Sequence, residues 1–306
     1  MKLCADSPKI MISLLMIVLS GCAVTGKFSV NFEQAGELGF NKARTIQLGR
    51  LVNVAYQIFD RQREAKENQP NPPFPEPFLS SFTPLVNLQG VDNVDRVTKK
   101  FYGHVSRLDA EPTTIVISIR GTSGVQEWID DVKVELVNYS DNPEFGRVEL
   151  GFKEIFNSLT IAAPGSTGFT PLDDYLVTLE NLDRVIVVGH SLGSSIATLV
   201  AFNIKQTKIA NDVQLLTFAS PRTGDHKFVE AFGKLIKDSV RVVNEPDLVP
   251  RIPPQLLGYR HIRHELKIDA KQDKNIKHSI ACFHSLHSHL HMLHSVLKVA
   301  ESCVTD

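Results

Sequence analysis

A chain of 306 residues that is 42% apolar and 22% charged can bury a sizeable core, and its length suits one large α/β domain better than two small ones. The formal charge of -1, with Lys and Arg scattered along the chain, gives no general pull toward polyanions and excludes nucleic acid as an expected partner.

Lys2 and Lys9 precede an apolar run from Ile10 to Leu19 that is too short to span a bilayer comfortably and is followed by small residues. Residues 1–21 therefore read as an export signal rather than a transmembrane anchor. The run Leu19, Ser20, Gly21, Cys22 resembles the bacterial lipobox, in which the cysteine sulfur takes a diacylglycerol group and the signal is cut before it. That resemblance implies lipid attachment at Cys22 and a membrane tether, each buried methylene adding about 0.8 kcal/mol. Ala23, rather than Asp, points to the outer membrane of a bacterial envelope. An ordinary signal with an incidental cysteine is the alternative. Cys4 leaves with the signal and Cys22 is consumed by lipid, so Cys282 and Cys303 remain, as a disulfide or as free thiols.

Residues 22–44 are polar and read as a tether, with the catalytic domain over 45–306. Ile46, Leu48, Leu51, Val52, Ala55, Ile58 and Phe59 recur at helical spacing and predict an amphipathic helix ending in the charged stretch Arg61 to Glu67. A Pro-rich segment from Pro70 to Pro84 follows and reads as a surface loop. Short apolar runs at Ile115–Ile119, Val185–Val188, Val213–Phe218 and Val240–Val243 read as buried strands. Helices are predicted between them, by Ile196, Leu199, Val200 and Ile204, and by Phe228, Val229, Phe232, Leu235 and Ile236. Strands alternating with helices imply a mostly parallel central sheet flanked by helices on both faces.

Gly189-His190-Ser191-Leu192-Gly193 follows one of those strands and precedes a helix rich in small residues, Ser194, Ser195 and Ala197. This is the context of a nucleophile elbow, where a strained serine is presented at the tip of a sharp strand-to-helix turn. A serine hydroxyl needs a histidine to remove its proton, and the histidine needs a carboxylate to hold its tautomer. Asp247 lies just past the strand Val240–Val243, where such sheets place their sites, and Glu245 is the nearby alternative. The amide after the nucleophile, that of Leu192, is one donor for an oxyanion.

The segments RGTSGVQEWIDD (Arg120 to Asp131), GHSLG (Gly189 to Gly193), TFASPRTGD (Thr217 to Asp225) and DLVPRIPP (Asp247 to Pro254) resemble, in order, those of the class 3 lipases. The resemblance implies an α/β-hydrolase fold, an acyl-serine route, Ser191 as nucleophile and Asp247 as acid. It also implies Thr122 as the second oxyanion donor, with Arg120 ordering that loop. Six histidines crowd the tail, and the stretch Cys282 to His291 is similar to the histidine motif of some plant members, which implies His284 as base and leaves His278 as the alternative. Glu149 stands where the family pattern Val-His-x-Gly-Phe has histidine. Trp128 follows the oxyanion loop where fungal members carry a lid helix, the alternative being a fixed core tryptophan.

Lipid esters are the expected substrate class, with triacylglycerol, phospholipid and monoacylglycerol unranked, and no cofactor or metal is required. Two other functions compete. One is a catalytically idle envelope-binding protein with the same fold. The other is a metal-binding surface protein using His284, His287, His291 and His294, spaced for one face of a helix whose buried stripe is Leu286, Leu290, Leu293, Leu297 and Ala300.

Overall fold

The computed structural model describes residues 29–66, 71–91, 98–122 and 134–305. The export signal, Cys22 and Trp128 lie outside the described residues. No helix among the described residues is long and apolar enough to cross a membrane.

The predicted amphipathic helix runs over Lys42–Glu64, and the side chain of Asn41 caps its start by accepting the Arg44 amide at 2.9 Å. Leu48, Leu51, Val52, Ala55 and Ile58 form its buried stripe. Residues 29–44, read as tether, are folded onto the domain: Ser29–Val30 pairs in parallel with Glu265–Leu266, and Ala35 and Phe40 are fully buried.

Ten strands form the main sheet, in the order Ser29–Val30, Glu265–Ile268, Ser239–Asn244, Asp212–Phe218, Arg184–His190, Glu111–Ile119, Lys99–Leu108, Phe82–Val91, Thr160–Ala162 and Thr170–Pro171. From Ser29–Val30 through Glu111–Ile119 every pairing is parallel, with Ile115 beside Val185 and Val185 beside Val213; beyond Glu111–Ile119 every pairing is antiparallel. The sheet is thus mixed, and all four predicted strands fall in its parallel part. An antiparallel four-stranded sheet of very short strands adds Leu136–Asn138, Arg147–Glu149, Gly224–Asp225 and Tyr259–Arg260.

Successive side chains of a strand face opposite ways, so a strand covered on both faces reads as a continuous apolar run. Val185 and Val187 join Ile196, Leu199, Phe152 and Phe228 in the core on one face. Ile186 and Val188 join Leu48, Leu51, Leu286 and Leu290 on the other. Each such side chain contributes about 1.5–3 kcal/mol relative to exposure. Pro84, expected in the loop, lies instead within the strand Phe82–Val91, where the register shifts between Pro84 and Val86; a bulge is where a residue without an amide can sit in a sheet.

The tail departs from the long helix implied by its leucines. Ile280–His284 and Leu286–Leu293 are two short helices that meet at Ser285, and the second ends at His294, so Leu297 and Ala300 lie beyond it. His291 Nδ1 reaches the Leu297 carbonyl at 2.6 Å, which folds the following chain back. Cys282 and Cys303 are joined as a disulfide.

Candidate active site

Three parallel strands end at the same edge of the sheet, and the chain leaving each supplies one part of the site. Ser191 connects Arg184–His190 to the helix Leu192–Gln206 with φ 57° and ψ −131°, a conformation that a residue with a Cβ holds only under strain. Its amide donates to the Phe218 carbonyl at 3.0 Å, and Ser194 Oγ donates to the same oxygen at 2.9 Å, so the neighbouring strand holds the turn. A Cβ on Gly193 would stand 2.4 Å from the Arg120 carbonyl oxygen, and one on Gly189 would stand 2.4 Å from that of Gly193. Both contacts are with backbone that cannot swing aside, which is why the elbow needs glycine there.

Asp247 follows the strand Ser239–Asn244. One carboxylate oxygen accepts the Val249 amide at 3.0 Å, and the other lies 2.8 Å from His284 Nδ1. Asp247 is 1% and His284 2% exposed, so this pair is shielded from water. With Nδ1–H donated to the carboxylate, the Nε2 of a neutral His284 carries the lone pair. Ser191 Oγ and His284 Nε2 are both buried and neither makes a hydrogen bond, which is compatible with a bond that tightens when substrate binds. The His284 backbone is clamped from the sheet: Asn244 Nδ2 donates to the Phe283 carbonyl at 2.7 Å, and His190 Nε2 lies 2.8 Å from that of His284. The alternatives lie elsewhere. Glu245 pairs with Lys267 at the surface, and His278 is exposed with its ring against Phe283.

The loop after the strand Glu111–Ile119 brings Gly121 so close to Ser191 that a Cβ on it would lie 2.7 Å from Ser191 Cβ. Thr122 is the next residue. Leu192, the residue after Ser191, opens a helix whose first amides have no partner within the helix. Arg120 supports this loop, donating from Nε to the Phe101 carbonyl at 2.9 Å and from Nη1 to that of Gly121 at 2.6 Å. Glu149 caps the helix Leu150–Asn157 by accepting the Phe152 amide at 2.7 Å, and burial pushes its carboxyl up to about 7.

Residues 116–257 match the family model described as Lipase (class 3). Over this stretch the chain is similar to the class 3 lipases. The chain is similar to Phospholipase A1-II 5 of Oryza sativa subsp. indica, 31% identical over 202 residues that cover 58% of this chain and 43% of that protein. It is also similar to Phospholipase A1-IIgamma of Arabidopsis thaliana, 30% identical over 224 residues, covering 62% and 52%. The chain spans about half the length of these curated relatives. Its fold is that of a Rhizomucor miehei lipase solved as a propeptide complex, with TM-score 0.56 at 20% identity over 89% of this chain and 81% of that one. The Lip2 lipase from Yarrowia lipolytica gives 0.56 at 20% identity over 84% and 85%.

Thr122, Ser191, Leu192 and Asp247 fall inside the matched segment, whereas His284 lies beyond it and joins Asp247 through geometry alone. The helical face proposed for His284, His287, His291 and His294 does not form, because the chain turns at Ser285 and again at His294. His291 Nε2 is instead 2.8 Å from Asp273, and among the described residues no cluster of His, Cys, Asp or Glu could hold a metal ion. Sequence reasoning missed Tyr56 and the separate role of His190. Tyr56 adjoins the apolar stripe of its helix without belonging to it, and His190 reads as part of the elbow motif; a polar-tipped aromatic beside a core stripe is the signal that was available.

Proposed function

We propose that this chain hydrolyses carboxylic esters of lipids through an acyl-serine intermediate. Ser191 Oγ attacks the ester carbonyl as His284 Nε2 takes its proton, and the amides of Thr122 and Leu192 hold the resulting oxyanion. His284 then gives the proton to the departing alcohol, and the acyl-serine is hydrolysed by a water activated in the same way. Asp247 keeps the imidazole in the required tautomer and stabilises its cationic form. The observation that carries this reading is the buried Asp247–His284 pair at the same sheet edge as a serine with φ 57°. The relatives' name, phospholipase A1, makes phospholipid esters the first substrates to test, beside triacylglycerol and monoacylglycerol.

The test is hydrolysis of that panel by the purified protein and its Ser191→Ala variant, together with labelling by a fluorophosphonate. Loss of both in the variant, with the fold retained by circular dichroism, is the expected result. Undiminished labelling or turnover in the variant rules the acyl-serine route out.

We also propose that the chain is exported and held on a bacterial membrane, the outer one, by lipid on Cys22. Support comes from the LSGC motif and the apolar run before it. Metabolic labelling with a fatty-acid analogue should mark the wild type and not Cys22→Ser, and an unlabelled wild type removes the tether.

A further inference from the structure

Tyr56, on the long helix Lys42–Glu64, stands between the two halves of the site. Its Oη accepts the Gly121 amide at 2.8 Å and lies 2.8 Å from His190 Nδ1. On its other side the His190 ring reaches the His284 carbonyl through Nε2, also at 2.8 Å. A carbonyl oxygen can only accept, so Nε2 carries the hydrogen of a neutral ring, and Nδ1 presents its lone pair to the Tyr56 hydroxyl. The hydroxyl then donates to Nδ1 while its oxygen accepts the Gly121 amide. Every donor in the chain meets one acceptor, and the direction runs from Gly121 N–H through Tyr56 and His190 to the His284 carbonyl.

We propose that Tyr56 and His190 are positioning residues, which fix the oxyanion loop and the backbone of the catalytic histidine to one another through this hydrogen-bond chain. The inference rests on the acyl-serine reading above. Tyr56 holds the peptide between Arg120 and Gly121. The next peptide, between Gly121 and Thr122, is held by Arg120 Nη1 on its carbonyl oxygen at 2.6 Å. In a trans peptide the N–H points opposite the C=O, so fixing the Gly121 oxygen aims the Thr122 amide. With the donor's own peptide and the one before it both tied, the oxyanion donor cannot rotate away without breaking one of these hydrogen bonds.

The surroundings suit a neutral His190. Its ring lies 4.8 Å from that of His284 and 6.0 Å from that of His289, and burial together with those two imidazoles holds its pKa well below the ordinary range. A cationic His190 would reverse the bond to Tyr56 and set a like charge beside the imidazolium formed on His284 during reaction. Burial likewise pushes the Tyr56 phenol up, out of the range where it could lose its proton.

The experiment compares wild type, Tyr56→Phe, His190→Gln and the double variant on a water-soluble short-chain nitrophenyl ester. Tyr56→Phe removes one oxygen, and because it loosens rather than deletes an oxyanion donor, kcat should fall about 10- to 100-fold with KM within about twofold. Because both residues serve one chain, the double variant should be no slower than the slower single variant. A fall in kcat under about fivefold for Tyr56→Phe, a loss carried by KM, or losses that multiply in the double variant overturns the proposal. Imidazole ¹⁵N NMR of the wild type decides it even if a variant fails to fold: His190 must show the neutral Nε2–H tautomer, and an Nδ1–H tautomer or an imidazolium at neutral pH overturns it. Turnover that survives Ser191→Ala would instead strike the reaction itself, a separate failure read from a separate variant.

Discussion

His284 Nδ1 and Asp247 Oδ2 lie 2.8 Å apart with neither side chain exposed by more than 2%. A carboxylate so enclosed can do one thing for the imidazole that no solvent group can replace, which is to hold Nδ1 protonated and Nε2 free. Asp247→Asn keeps the volume and presents an amide that permits the wrong tautomer. By the general behaviour of such triads kcat should fall by about 10⁴-fold with little change in thermal stability. Glu245→Gln, which alters only the surface pair with Lys267, should keep kcat within about twofold. Steady-state kinetics on a soluble ester separates the two carboxylates, and equal losses would remove Asp247 from the acid role.

The Cys282–Cys303 disulfide closes a loop of sequence separation 21, and Cys282 lies on the same short helix as His284. Constraint of the unfolded chain by a loop of that length is worth about 3 kcal/mol. Reduction, or Cys303→Ser, should lower the unfolding free energy by about that amount in denaturant titrations. It should also reduce turnover several-fold at temperatures where circular dichroism still reports a folded chain, because the helix carrying His284 loses its tie to the tail. Turnover that tracks only the folded fraction would limit the bridge to stability.

What the sequence made legible was governed by how each strand is covered. Val185–Val188 is buried on both faces by apolar neighbours, so its run of aliphatic residues declares it, and the small residues Ser194, Ser195 and Ala197 declare the helix beside it. The strands Phe82–Val91 and Lys99–Leu108 escaped because they bury Asn87, Gln89, His104 and Ser106. Those side chains find internal partners, Asn87 on the Pro72 carbonyl and His104 on that of Leu51, so polarity there does not mean exposure. Motif and strand end singled out Ser191 and Asp247, and the structure sets both at one edge of the sheet. His284 could be separated from His278 only by its 2.8 Å contact with Asp247, and Tyr56 only by its bonds to residues far along the chain.

Glu149 tests the cost of a buried carboxyl. Burial raises its pKa from 4.5 to about 7, with Glu154 and Glu135 adding to the shift and the Gly151 and Phe152 amides opposing it. A raised carboxyl pKa means that the folded state prefers the protonated form. The stability linked to that proton is present below the unfolded value and is lost as pH rises from about 4.5 through 7, amounting to about 3 kcal/mol. Glu149→Gln keeps an acceptor for the Phe152 amide and cannot ionise. Its stability relative to wild type should therefore climb by about 3 kcal/mol between pH 4.5 and pH 8. A difference that stays constant across that range would mean that the carboxyl titrates as it does in water.

His104 gives the opposite dependence. The ring is fully buried, with Nδ1 2.9 Å from Ser106 Oγ and Nε2 3.0 Å from the Leu51 carbonyl, and the rings of Phe74 and Phe78 meet it nearly perpendicular. Nε2–H donates to the carbonyl and Nδ1 accepts from the serine, a pattern that only the neutral ring satisfies. Burial accordingly lowers its pKa from 6.5 to about 4. The unfolded chain takes up a proton near pH 6.5 that the folded chain refuses until about pH 4, so this contribution is complete above the first value and is lost as pH falls toward the second. The loss is about 3 kcal/mol. His104→Phe should be less stable than wild type at pH 7, since it strands the Leu51 carbonyl and Ser106 Oγ. Because phenylalanine has no proton to gain, the gap should close by about 3 kcal/mol by pH 4. Urea titrations of both proteins at pH 7, 5.5 and 4 measure the gap directly. A gap of constant size would assign the acid sensitivity to other groups, with His190 and His289, whose pKa values burial also lowers, as the next to replace.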